Sequence, residues 1–203
     1  MGERAAMSEL SEIVGAIRQV EVTIERRAAR AEGTFLTLWG LGVAAIFLFY
    51  REAHANPALY RGALGPLVDW MWLAPFAVCY AATLVLGARL APIAPRGRRV
   101  WQDPYAMVGI MATATLVLGG RALGHHEWST AGIVLLGGAM LPFRLRAWGA
   151  LPFRFGLALA AASAGAAVLI VLAGATHLTH LLAALFWGLA WPAAGALVYR
   201  RGG

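Results

Sequence analysis

The chain has 203 residues, 60% of them hydrophobic and only 13% charged, with a mean hydropathy of +0.67. A soluble globular domain carries about a quarter of its residues as charges, so this composition excludes one and points to a membrane protein. The net charge is +7, and there is no lysine, which removes Schiff-base chemistry with retinal or pyridoxal and any Walker-type phosphate loop.

In chain order, residues 8–31 predict an amphipathic helix. Ser8 suits an N-cap, with Glu9 and Glu12 in the first turn where negative charge favours the helix dipole. Leu10, Ile13, Ile17, Val20 and Ile24 alternate spacings of three and four, a short coiled-coil seam that Val14 widens. Glu3, Glu9, Glu12, Glu21, Glu25 and Glu32 slightly outweigh Arg4, Arg18, Arg26, Arg27 and Arg30. A helix lying on lipid needs a basic polar face, so this balance favours a protein partner: a second copy or a cytoplasmic protein. Residues 1–33 thus read as a cytoplasmic segment ahead of a membrane domain at 34–203, with Gly33 allowing a bend between them.

Six apolar stretches follow, at 34–50, 67–88, 105–120, 128–143, 155–175 and 181–199. Each is near the ~20 residues that cross a ~30 Å hydrocarbon core. The expected fold class is therefore all-α, a bundle of six transmembrane helices. With the N-terminus inside, the inner segments hold Arg4, Arg18, Arg26, Arg27, Arg30, Arg89, Arg96, Arg98, Arg99, Arg144, Arg146, Arg154, Arg200 and Arg201. The outer segments hold only Arg51, Arg61 and Arg121. This positive-inside bias places both termini in the cytoplasm of a prokaryotic inner membrane and accounts for the basic pI without nucleic acid. Trp39, Trp70, Trp128 and Trp148 lie near span ends, as interfacial aromatics do, and no segment reads as a cleaved signal peptide.

Inside the spans the chemistry is sparse. No charge falls in a span interior, which argues against a proton-coupled transporter, an ion pump or a voltage sensor. Thr37, Thr83, Thr113, Thr115 and Ser163 read as hydroxyls bonded back to their own helices. Ser163 with His180 lacks the Gly-x-Ser-Gly context of an intramembrane serine protease, and the single Cys79 reads as a small buried side chain. The small residues Gly156, Ala160, Ala161, Ser163, Ala164, Gly165 and Ala167 place the fifth span at the bundle centre or at a contact between copies. Pro75 and Pro192 are expected to kink spans two and six, and Pro142 and Pro152 to bracket a cytoplasmic turn.

All five histidines fall on the outer side of this topology: His54, His125, His126, His177 and His180. Imidazole and carboxylate bind zinc and copper, so His125, His126, Glu127, His177 and His180 form the candidate metal set, with His177 and His180 three apart on one helix face. Convergence of the 125–127 turn with 177 and 180 would leave an open coordination position on a divalent transition metal. In outline the chain resembles small prokaryotic multi-pass membrane proteins that carry an amphipathic helix ahead of several spans, and that resemblance implies architecture alone. Three functions are expected. The first is a non-enzymatic inner-membrane protein that oligomerises or docks a partner through residues 10–24. The alternatives are a membrane enzyme or metal carrier built on the outer histidines, and a carrier of a lipid or neutral small molecule through a cavity at Pro75 and Pro192.

Overall fold

The computed structural model describes residues 2–58, 65, 73–90, 111, 115, 119–120, 122–174 and 177–201. Five long helices form there: α1 (Gly2–Ala55), α2 (Leu73–Leu90), α3 (His126–Arg146), α4 (Ala150–Ala173) and α5 (His177–Arg201), with no strand among the described residues. α1, α3, α4 and α5 are long and apolar enough to cross a membrane, and α2 carries a shorter apolar stretch, Ala77–Leu86. They contain the first, fourth, fifth and sixth predicted spans. The second predicted span is described only from Leu73, and the third, 105–120, lies outside the described residues except for 111, 115, 119 and 120.

The expected division at Gly33 takes a different form. α1 runs unbroken through it for 54 residues, about 80 Å at 1.5 Å per residue. Gly33 does not end the helix; it lets α5 come close. A Cβ there would lie 2.7 Å from the Gly195 carbonyl oxygen, and one on Gly40 would lie 2.6 Å from Trp191 Cβ. Gly188 meets Ala44 in the same way, and further along Phe47 stacks on His180. These pairings fix α1 and α5 as antiparallel neighbours. In lipid, helices associate through van der Waals packing and not through expulsion of water, so small residues that bring two backbones together set which helices meet.

Around that pair lies a core containing Leu36, Val134, Leu141, Leu145, Ile170 and Val198, all fully buried. α3 and α4 form an antiparallel hairpin through the turn at Ala147–Gly149, where Gly149 takes φ +102°, a left-handed value that glycine adopts without strain. Pro142 sits one turn inside α3, and Gly156 of α4 packs directly on it. The fifth predicted span is α4, and among the described helices it is peripheral. Its buried residues are Pro152, Gly156, Ser163, Ala167 and Ile170, while Ala161, Ala164 and Gly165 are exposed. Its small residues serve contacts with α3, Gly156 against Pro142 and Ser163 and Ala160 against Gly138. The centre of the bundle belongs to α5.

One ion pair ties the bundle to α1. Arg144 near the end of α3 donates from Nε and Nη2 to both carboxylate oxygens of Glu32, at 2.7 and 3.0 Å. Its guanidinium also lies 4.3 Å from the centre of the Phe35 ring. On the other flank, α2 packs on α1 with Trp39 Nε1 donating to Thr83 Oγ1 at 2.9 Å and the Cys79 thiol against the Leu38 carbonyl.

Candidate functional site

Two regions carry the side chains that the sequence singles out, and they lie at opposite ends of α1. The first is the N-terminal stretch of that helix. Every described side chain from Met7 to Arg27 is exposed, and the first buried residue among those described is Ala29. Leu10 is 65% exposed, Ile13 51%, Ile17 55%, Val20 58% and Ile24 37%, so the five seam residues face outward with no described residue covering them. The reason is angular. At about 100° per residue, the seam points about 150° away from Ala29, Gly33, Leu36, Gly40, Ala44 and Phe47, the stripe that packs into the bundle. The side of α1 that continues the bundle-facing stripe below residue 29 carries Ser11, Gly15, Arg18 and Arg26, with Val22 its one large apolar side chain. The apolar stripe therefore crosses to the other side of the helix between Ile24 and Ala29, out of reach of α5.

The second region is the other end of the bundle. The antiparallel packing gathers the C-terminus of α1, the N-terminus of α3 and the N-terminus of α5 there, while Arg144, Arg146, Arg154, Arg200 and Arg201 lie at the opposite end. His125, on the turn before α3, sits 3.0 Å through Nδ1 from Glu127 Oε1, with Trp128 against its ring. His177 is exposed at the start of α5, and the His126 side chain lies outside the described residues. His180 enters an aromatic box on α1, with ring centroids 6.3 Å from Phe47, 6.2 Å from Tyr50 and 4.8 Å from His54. No group of three or more His, Cys, Asp or Glu side chains is arranged to hold a metal ion among the described residues.

His54 is the residue that sequence reasoning left out of the candidate set. It lies 126 positions from His180, and only the packing of α1 on α5 joins them. A signal was present: Gly33 and Gly40 at the start of one span and Gly188 and Gly195 in another mark faces made for close approach. The His54 Nδ1 is 2.9 Å from the Tyr50 carbonyl oxygen, which accepts only, so Nδ1 carries the proton and Nε2 the lone pair in the neutral ring. Ser163 is remote from this chemistry. It is buried in α4 and donates to its own helix at the Ala160 carbonyl, 2.7 Å away.

No protein-family model, curated protein or solved structure matches the chain.

Proposed function

We propose that this is a non-enzymatic protein of a prokaryotic inner membrane whose N-terminal helix, on the cytoplasmic side, joins it to further copies of itself or to a cytoplasmic partner. The observation that carries the reading is the exposure of the seam residues Leu10, Ile13, Ile17, Val20 and Ile24 on a helix continuous with a membrane-crossing one. Five large apolar side chains in a three–four repeat, exposed about 150° from their own bundle, are matched by another helix bearing a similar seam. The balanced charges of residues 1–33 support protein over lipid as the cover. The inward bias of arginine supports the placement of both termini in the cytoplasm. The test compares the full-length protein with an Ile13→Asp/Ile17→Asp variant by in-membrane crosslinking and by recovery of bound cytoplasmic proteins. The expected result is that assembly or capture is lost while the bundle melts unchanged. Unaltered crosslinking and capture in the variant overturn the reading.

A further inference from the structure

The geometry points to a two-histidine binding site for a divalent transition-metal cation, formed by His54 of α1 and His180 of α5 and independent of the seam. The distance between the rings is the first argument. An imidazole nitrogen binds zinc at about 2.05 Å and the ring centre lies about 1.15 Å further on, so the metal sits about 3.2 Å from each centroid. Two rings on one ion then have centroids about 4.5 Å apart at a 90° ligand angle and about 5.2 Å apart at the tetrahedral angle. The observed separation of 4.8 Å falls between these limits. Rings in ordinary contact meet at such distances too, as Trp187 and Trp191 do at 4.7 Å, so the spacing admits a shared ion without requiring one.

The second argument is the second shell. A metal-bound histidine characteristically gives its other N–H to a carbonyl or carboxylate, which fixes the tautomer and raises the basicity of the ligating nitrogen. His54 has this arrangement, with Nδ1 held by the Tyr50 carbonyl and Nε2 on the far side of the ring from that bond. The third is rigidity. His54 stands in the last turn of a 54-residue helix and His180 in the first turn of α5, and the two helices are locked by glycine contacts along their length. Phe47 and Tyr50 flank the His180 ring, limiting its rotation and lowering the local dielectric. Neutral imidazole with water in the remaining positions suits Cu²⁺, Zn²⁺ and Ni²⁺, with copper held most tightly, and disfavours Mg²⁺ and Ca²⁺.

The experiment uses the full-length protein in detergent with Zn²⁺ or Cu²⁺ alone as the probe. Because a ligand that binds only the folded state raises its melting temperature, Zn²⁺ should produce an upward shift that grows with each tenfold rise in its concentration. His54→Ala and His180→Ala should each abolish the shift. A His125→Ala/His126→Ala/His177→Ala variant should keep it, and its Cu²⁺ spectrum should show two equatorial nitrogens in electron paramagnetic resonance. That spectrum needs neither His54 nor His180 to be altered, so the proposal stays testable if those variants fold poorly. Loss of the shift in the triple variant, a copper spectrum with one nitrogen or none, or a shift that survives His54→Ala overturns the site.

Discussion

Removing the Glu32 carboxylate breaks the tie between α1 and α3 near the point where α1 leaves the bundle. The pair is bidentate, with both side chains about three-quarters buried (20% exposed for Glu32, 24% for Arg144). An exposed ion pair contributes about 0–1 kcal/mol, whereas stripping one partner from a fully buried pair costs about 3–5 kcal/mol because the other charge is left without compensation. Partial exposure discounts the upper range, and the Phe35 ring keeps some hold on the guanidinium, so Glu32→Ala should destabilise by about 2–3 kcal/mol. Arg144→Ala should cost about the same, since it strands the carboxylate and bares the Phe35 face. The double variant should cost much less than the sum, because each single change removes the same interaction. The assay is a double-mutant cycle by reversible unfolding in mixed micelles. Arg144→Lys serves as a third arm that keeps the charge and loses the two-pronged geometry. A coupling energy below about 0.5 kcal/mol would show that the two residues act independently and would refute the clamp.

Other consequences follow from the same packing. Gly40→Ala places a methyl 2.6–2.8 Å from Trp191 Cβ, Pro192 Cδ and the Trp187 carbonyl, and should destabilise by about 1–3 kcal/mol in thermal unfolding. Gly15→Ala meets nothing within 4 Å on the projecting part of α1 and should raise helicity by circular dichroism, gaining up to about 1 kcal/mol. Ile17→Asp should leave the melting temperature within error, since that side chain is 55% exposed, while reducing crosslinked multimers or captured partner. Ser163→Ala should cost less than about 1 kcal/mol, because its hydroxyl serves only its own helix at the Ala160 carbonyl; a loss above about 3 kcal/mol would point to a role beyond that bond.

What hydropathy can register, it registered well. The apolar stretches at 34–50, 128–143, 155–175 and 181–199 fall within or almost within α1, α3, α4 and α5, because crossing lipid demands a length of apolar helix whatever its neighbours are. Which helices touch was harder to see. Gly33 reads equally as a hinge or as a close-packing residue, and the answer depends on Gly195 and Tyr199, 162 and 166 positions away. The small residues of α4 suggested a central helix or a contact between copies; only Gly156, Ser163 and Ala167 are buried against α3 or the core, and Ala161, Ala164 and Gly165 face outward. The candidate site shows the same limit. The gathering of histidines at one end could be read from the order of spans, but the pairing of His180 with His54 required knowing that α1 and α5 are neighbours. The seam was legible in full as a pattern. Its outward direction was not, because the shift of the apolar stripe between Ile24 and Ala29 becomes visible only once the bundle-facing side of α1 is known.

The unbroken course of α1 makes it a shaft. It carries the seam at one end and His54 at the other, about 45 Å from Ile24 along the axis, with no hinge in the helix between them. A helix transmits axial twist far better than a jointed pair of segments does. If assembly at the seam turned α1 by about 20°, a ring about 6 Å from the axis would sweep roughly 2 Å, comparable with the whole reach of a metal–nitrogen bond. The glycine contacts that lock α1 to α5 oppose such a turn, so the ring moves only as far as the seam can drive it against them. A twist applied at the seam would then be felt at the other end of α1 as a change in the angle between two imidazoles.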